Sequence, residues 1–445
     1  MSSVVVDNYS FRSREEVLKY IELNPEKLGL EELTKIAEMA NCNKQNSAAF
    51  YTENATLMDI SARLPEINED TVRVLEPSAG VGNFLQLIVD HYSNSRKLII
   101  DLVDIDEMSL KLLVALNKYR KIPDNVEINC ICSDFLLTDF SHTYDLVIGN
   151  PPFLRLNKAE RRRYESALGG ESTKNTAGFF LTKAISIADY CVFVMPKYFL
   201  SNSDFSESRK NVERHAVQCI IDFGETGFRG VLIETVALFI CTRSELGVTT
   251  VYSVPRVEKI EQMQKNIMSH EFPGWLIYRN DTFDELVARM ELGVFSVFRD
   301  RQITNKVLSR AGEIRVIRSR NIARDGSGLV DVCDYDRFIN ESDLKRMPVG
   351  EYLDRDDVYL CPNMTYYPRV IRKPKGVVPN GSVAILERLR PMCISDEQLD
   401  FFASKAFENY YRIARNHSTR SLNIDSSSVY FFGLLKNAVD YHNRR

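Results

Sequence analysis

Two consecutive prolines, Pro151 and Pro152, follow the apolar run Leu146–Ile148 and Gly149. Proline cannot donate to a sheet ladder, and it pushes the residue before it out of the helical region. A central strand must therefore end here, in an extended and rigid loop. The run itself, between Asp145 and Gly149, reads as a short buried strand. Asn150 and Phe153 then project from its C-terminal end, which is where open α/β sheets bind ligands. Asn150 offers an amide oxygen, Pro151 a carbonyl and Phe153 a flat ring. Two acceptors and a stacking platform suit a planar group bearing an NH2, such as adenine. The competing reading is a plain proline-rich turn between strand and helix.

The upstream sequence favours the first reading. Val72–Leu75 is an expected strand, followed by the turn Glu76-Pro77-Ser78-Ala79-Gly80-Val81-Gly82 and a helix from Phe84 to His91. Gly80 and Gly82 permit close backbone approach, and the helix start supplies free N–H groups. A second strand, Leu98–Val103, ends in Asp104-Ile105-Asp106, and an acidic side chain there can bond both hydroxyls of a ribose. A third, Val126–Ile131, ends at Ser133-Asp134-Phe135. Strand ends that are Gly-rich, acidic, acidic-aromatic and then Asn-Pro-Pro-Phe predict a Rossmann-like doubly wound α/β sheet with a nucleoside-type cofactor along one edge. The turn is Glu-x-x-x-Gly-x-Gly rather than the dinucleotide fingerprint, so it carries weight only in this combination.

Around this block, Arg14–Leu23 and Leu30–Ala40 read as a short helical lead-in, and Thr56–Arg63 as another helix. Phe179–Asp189 is expected to be helical, and Cys191–Met195, Val217–Ile221 and Val231–Cys241 to be strands. Gly224–Gly230 is a three-glycine loop around Phe228, either a cap on the sheet or an aromatic wall for the site. Nine cysteines without a CxxC pair, and few histidines, favour reduced structural thiols and no metal site. No apolar run approaches the ~18 residues of a membrane helix, and the N-terminus lacks a signal-peptide pattern, so a cytoplasmic protein is expected.

Net charge is only -4, but it is unevenly placed: residues 1–254 carry -8 and residues 255–445 carry +4. From Arg299 to Arg324 eight basic residues face two acidic ones. A second run spans Arg369–Lys375, and Arg412, Arg415 and Arg420 lie among Asn, Ser and Thr. Such runs are often solvated faces, yet this polar and tyrosine-rich setting fits phosphate and base-edge contacts better. The expected layout is a lead-in over 1–44, a catalytic domain over 45–254 and a mixed α/β recognition domain over 255–445.

The combination resembles the N6-adenine DNA methyltransferases of restriction–modification systems, specifically the TaqI-like group with cofactor motifs first and target recognition last. The resemblance is close over about residues 45–245 and looser beyond, where Val316–Ile322 looks like part of that family's recognition domain. It implies S-adenosylmethionine as cofactor. Thr52, in Phe50-Tyr51-Thr52, would hold its methionine end, and Glu76, Ser78, Gly80 and Gly82 match the main cofactor motif. Asp104 matches the ribose ligand, Asp134 the residue on the adenine amino group and Phe135 the one packing on that ring. Asn150, Pro151, Pro152 and Phe153 match the catalytic motif, and Phe228 the aromatic on the other side of a flipped base. Glu53 replaces a frequent proline, Asp104 a more common Glu, and Phe153 a more common Tyr; none removes a needed chemical group.

Double-stranded DNA is the partner this implies, with Arg318, Arg320, Arg372 and Arg420 as candidate contacts. The chain is expected to be a monomer in a bacterial or archaeal cytoplasm. About 45 residues precede the first cofactor motif, so any cognate restriction endonuclease is expected to be a separate chain. Three alternatives keep parts of the pattern: an RNA adenine methyltransferase, a protein-glutamine methyltransferase, and an inactive methylase serving as a DNA-binding subunit.

Overall fold

The computed structural model describes residues 4–6, 9–42, 54–170, 172–227, 233–417 and 423–436. It divides into two compact units, Met1–Lys265 and Asn266–Arg445. The boundary falls past the expected Val254 because two further strands, Val248–Ser253 and Glu258–Met263, extend the first unit's sheet.

In chain order the first unit contains, after a short N-terminal hairpin, helices α1 (Arg14–Leu23), α2 (Leu30–Cys42) and α3 (Asn54–Ser61). Strand β1 (Thr71–Glu76), α4 (Leu85–Tyr92), β2 (Lys97–Asp104), α5 (Glu107–Asn117), β3 (Val126–Cys132) and β4 (Tyr144–Gly149) follow. Then come α6 (Lys158–Ala167), α7 (Thr176–Ile187), β5 (Ala188–Pro196), α8 (Ser206–Val212), β6 (Ala216–Gly224), β7 (Thr235–Cys241), β8 (Val248–Ser253) and β9 (Glu258–Met263). The nine strands pair in the order β3-β2-β1-β4-β5-β7-β6-β8-β9. β1 to β5 are mutually parallel, whereas β7 runs antiparallel to both β5 and β6.

The chain lays β1, β2 and β3 outward in one direction and then returns to place β4 on the other side of β1. That reversal leaves a crevice at the C-terminal ends of β1 and β4, where parallel sheets bind ligands. The central strands explain why the sequence announced them. Val72, Val74 and Leu75 in β1 and Leu146, Val147 and Ile148 in β4 are all fully buried, as strands covered on both faces must be. Each such side chain contributes roughly 1.5–3 kcal/mol of burial free energy. β3, at the edge, has no fully buried residue.

One element ends earlier than the sequence pattern indicates. The apolar face of α7 continues into Ala188, but that residue is extended (φ -136°, ψ 152°) and begins β5. A continuous apolar run does not by itself mark where a buried helix becomes a buried strand.

The second unit holds α9 (Asp281–Ala288), β10 (Phe295–Phe298), β11 (Ile314–Ile317), β12 (Arg337–Ile339), β13 (Tyr359–Pro362), β14 (Ile371–Arg372), β15 (Val377–Pro379), β16 (Val383–Arg388), α10 (Asp396–Ala403) and α11 (Lys405–Ala414). Strands β10-β16-β13-β14 form an antiparallel sheet, and β12-β11-β15 a mixed one. One core is aromatic, with Phe283 stacked on Tyr410 at 4.9 Å and Phe407 on Tyr411 at 5.8 Å. The other is aliphatic and built on β11 and β15. Among the described residues no helix is long and apolar enough to cross a membrane.

Candidate active site

The turn after β1 is held from three directions. Gly80 and Gly82 adopt φ of +54° and +82°, a conformation that costs a side-chain-bearing residue about 1–2 kcal/mol. The Gly80 N–H donates to Asp104 Oδ2 at 2.8 Å, and the Asp106 N–H to Asp104 Oδ1 at 2.8 Å. The acid at the end of β2 thus fixes the turn as well as facing the crevice. Arg120, just beyond α5, donates to the carbonyls of Val81 at 3.2 Å and Gly82 at 2.9 Å. Burial pushes its guanidinium pKa down to about 10, with the Glu76 charge opposing.

The lead-in, whose role the sequence leaves open, braces the same turn. Val17, Ile21, Leu33 and Ile36 of α1 and α2 pack with Val81 and with Leu112 and Leu116 of α5. Arg14 pairs with Asp106 at 2.6 Å, and Asn83 donates to Glu38 at 2.7 Å.

Glu76 ends β1 and is 1% exposed. Its Oε2 has no hydrogen-bond partner among the described residues. Burial raises the carboxyl well above the usual range, Arg120 opposing and Asp104 adding to the rise. A buried, unsatisfied carboxylate at a ligand-binding strand end fits a cationic ligand group, because a native fold seldom leaves such an oxygen unmatched.

The Asn-Pro-Pro-Phe loop leaves β4 directly beside this turn. The Ser78 hydroxyl donates to the Asn150 backbone carbonyl at 3.0 Å, joining the two motifs across 72 residues of chain. Gly149 lies against the same turn: a Cβ there would rest in ordinary van der Waals contact with it, 3.4 Å from Pro77 Cδ and 3.7 Å from Glu76 Cγ. The Asn150 side-chain oxygen is out of contact with solvent. Phe153 is 9% exposed. Two hydrogen bonds thus tie the turn to the strand ends on either side of it, Ser78 to Asn150 and Gly80 to Asp104.

After the loop, Leu154 and Leu156 bond to Thr176 and Lys174, at 2.8 and 2.9 Å between backbone groups, so that α6 is an excursion pinned at its base. Asn157 and Glu160 form a reciprocal capping box at its start. From this helix the Tyr164 hydroxyl donates to Asp134 Oδ2 at 3.1 Å, while Asp134 Oδ1 accepts the Leu136 N–H at 3.0 Å. Burial, and secondarily the Asp134 charge, push the Tyr164 phenol up to about 12. Phe135 is 2% exposed, packed on Phe180 at 5.0 Å and Phe140 at 5.8 Å, so at most a ring edge faces a ligand.

Lys197, after β5, pairs with Asp222 of β6 at 2.7 Å, and Asp222 also accepts the Gly224 N–H at 3.0 Å. This buried pair fixes the start of the loop that carries Phe228. Phe228, Thr52 and Arg420 lie outside the described residues.

In the second unit the basic runs sort by tertiary contact. Arg369 is buried and donates to Thr365 Oγ1 and to the carbonyls of Tyr367, Ser319 and Ile322. Lys373 is buried and donates to the carbonyls of Leu353, Arg355 and Pro374 at 2.8–3.0 Å. Arg372 donates to the Ile394 carbonyl at 2.6 Å and pairs with Asp396 at 3.0 Å. The expected polyanion-facing run Arg369–Lys375 is thus largely spent on backbone carbonyls and internal pairs. Arg318 and Arg320 lie 4.1 and 4.9 Å from the Tyr335 ring centroid, and Arg318 also donates to the Tyr335 carbonyl at 3.1 Å.

Sequence reading missed Arg120, Glu38, Tyr164 and the brace formed by Arg14. The sequence offers no local signal for Arg120, which meets the turn 38 residues away. Tyr164 stands out only as the one aromatic in a highly charged helix.

Two solved structures share the fold over most of the chain. The type IIG restriction endonuclease BpuSI is 13% identical, with a TM-score of 0.50 over 91% of this chain and 61% of that one. The type IIL restriction-modification enzyme MmeI, solved in complex with DNA, is 14% identical, with a TM-score of 0.50 over 94% of this chain and 67% of that one. The expected fold, a Rossmann-like doubly wound methyltransferase sheet followed by a mixed α/β domain, is the fold observed. The type II methyltransferase M.AccI of Acinetobacter calcoaceticus is 24% identical over 225 residues, 47% of this chain and 39% of the relative. The alignment thus spans about two-fifths of that relative's length. Residues 37–228, which include the β1 turn and the Asn-Pro-Pro-Phe loop, match the Eco57I restriction-modification methylase family, so the first unit is similar to a restriction–modification methyltransferase.

Proposed function

We propose that this chain is a site-specific DNA adenine-N6 methyltransferase of a restriction–modification system, using S-adenosylmethionine. The observation that carries the reading is the Ser78–Asn150 hydrogen bond, which sets the buried carboxylate of Glu76, the Gly80–Asp104 turn and the Asn-Pro-Pro-Phe loop in one crevice. S-adenosylmethionine, when bound, supplies a methyl group activated by a sulfonium. Glu76 takes its ammonium, Asp104 its ribose, and Asp134, held by Tyr164, its adenine amino group.

The residues of β4 then act on the substrate base. Adenine N6 is a weak nucleophile because its lone pair is delocalised into the ring. The Asn150 side-chain oxygen and the Pro151 carbonyl accept hydrogen bonds from its two N–H groups and favour a pyramidal nitrogen whose lone pair is free to attack. Positioning and preorganised dipoles supply the acceleration. The proton leaves after the nitrogen becomes cationic, so no strong general base is required. Because a base stacked in a duplex cannot reach the crevice, the target is extruded and stacked on Phe153. Phe228 is the proposed second wall.

The test incubates the purified chain with tritiated S-adenosylmethionine and duplex DNA, RNA or protein, and maps modified bases in DNA from cells expressing this chain alone. Label in DNA as N6-methyladenine within one sequence motif is the expected result. Label in RNA or protein only would replace the reading. Cofactor binding with no transfer to any substrate would leave an inactive DNA-binding subunit.

Asp104→Ala is expected to weaken the cofactor by about 1.5–3 kcal/mol, the range for hydrogen bonds to a charged group. Asp104→Asn should lose less, since one oxygen remains to accept the Gly80 N–H. Unchanged affinity of the alanine variant in a calorimetric titration would reduce Asp104 to a turn anchor.

A further inference from the structure

The second unit exposes a rigid aromatic edge. The loop 362–368 follows β13 and faces the segment after β11 across a groove of about 460 Å³. Met364, Tyr366 and Tyr367 on this loop are 63%, 51% and 41% exposed. Large apolar side chains clustered in this way mark interaction surfaces more often than single exposed ones do.

The loop is held firmly from beneath. Asn363 is buried, its Oδ1 accepting the Ile424 N–H at 2.9 Å and its own N–H donating to the Ser382 carbonyl at 2.9 Å. Thr365 Oγ1 accepts the Tyr367 N–H at 3.1 Å. The buried Arg369 clamps the loop to Ser319 and Ile322 on the facing segment. Between these anchors Met364 is forced to φ +56°, a conformation costing a non-glycine residue about 1–3 kcal/mol. The fold thus strains a residue in order to present it to solvent.

Charge defines the occupant. The Arg324 guanidinium lies 4.0 Å from the Tyr367 ring centroid, and Arg320 lines the same groove. Among the described residues neither forms an ion pair, in contrast with Arg315, Arg355 and Arg372. Two available cations beside flat rings and a thioether suit a ligand with an anionic backbone and π-faced, methyl-bearing edges. Nucleic acid has that chemistry.

We infer that this groove is the sequence reader of the chain: Arg320 and Arg324 contact phosphates of duplex DNA, while Met364, Tyr366 and Tyr367 contact base edges. The assignment rests on the DNA-methylation reading and deepens it, because it places specificity on this loop rather than on the run Arg369–Lys375.

The test has two arms on the full chain. In the first, binding to cognate and random duplexes is measured by fluorescence anisotropy across a salt series. Arg320→Gln and Arg324→Gln should weaken both duplexes alike, each lowering the slope of log affinity against log salt by about one. In the second, methylated sites are mapped in cells expressing Met364→Gly, Tyr366→Ala or Tyr367→Ala. Each should relax a position of the motif, losing roughly 5- to 150-fold discrimination there, with the salt slope unchanged.

Met364→Gly also separates reading from folding. Glycine accepts positive φ, so the variant should keep its melting temperature yet lose selectivity. Wild-type motif, rate and salt slope in all five variants would overturn the assignment while leaving DNA methylation intact. Absence of any DNA methylation by the wild type would instead sink the proposed function. In that case binding still decides: a groove whose arginine variants bind duplex DNA as wild type does, or that binds only RNA or an acidic peptide, is not a DNA reader.

Discussion

Asn150→Ala is expected to lower methyl transfer by at least about 10²–10³ while leaving cofactor affinity nearly unchanged, the size of effect seen when one preorganised polar partner of a reacting group is removed. The substitution keeps the backbone hold on the loop. The Asn150 carbonyl accepts the Ser78 hydroxyl at 3.0 Å, and that bond survives truncation of the side chain. The close approach of Gly149 to Pro77 and Glu76 is also untouched. What disappears is a solvent-shielded amide oxygen at the end of a parallel strand. Turnover with tritiated cofactor and calorimetric titration, run on the same preparation, separate the two effects. Near-normal turnover in the variant would remove Asn150 from the chemistry and leave the Asn-Pro-Pro-Phe loop a structural stop. A parallel loss of cofactor affinity would mean that the loop had shifted, and Ser78→Ala should then reproduce that loss.

The central strands were legible because each is largely covered on both faces, so that Leu146–Ile148 appears as an unbroken apolar run and Val72–Leu75 as one interrupted only by Arg73. Their stops were legible too: glycine, proline and the acids at strand ends have few other reasons to recur in that order. Strand order and direction were not legible. Nothing local in Thr235–Cys241 distinguishes a reversed strand inserted between β5 and β6 from another parallel one, since all seven of its residues are buried. The basic runs illustrate a different limit. Arg369 and Lys373 read as surface charge, yet both are buried against backbone carbonyls supplied by segments 18 to 50 residues away. A long cationic side chain can satisfy an orphaned carbonyl as readily as it can meet a phosphate, and only tertiary structure tells which it does. Arg120 shows the same limit in reverse, a residue with no motif of its own that holds the carbonyls of the turn after β1.

Glu76→Gln is expected to weaken S-adenosylmethionine by about 3–5 kcal/mol, the range for removing one partner of a buried ion pair, and at the same time to stabilise the ligand-free protein at neutral pH. The two effects share one cause. Glu76 is buried with an oxygen that has no partner among the described residues, and burial raises its carboxyl well above the ordinary range. A folded-state pKa raised above the unfolded value of about 4.3 contributes stability that is fully present below that value. This contribution is lost as pH rises through the folded-state pKa, because the folded protein must then hold a buried charge that the unfolded chain hydrates. Glutamine carries no charge, so the melting temperature of the variant should fall less over that window, and the two curves should diverge as pH rises. An ammonium group placed against the carboxylate reverses the preference. Below the folded-state pKa, cofactor binding must expel the Glu76 proton, so wild-type affinity should climb with pH and level off once the carboxylate is already ionised. In the variant it should be low and flat over the same range. Calorimetry in buffers of different ionisation enthalpy reads the expelled proton directly. Equal proton release by both proteins, with matching affinities, would place the ammonium on another residue and leave Glu76 as an internal partner of Arg120 alone.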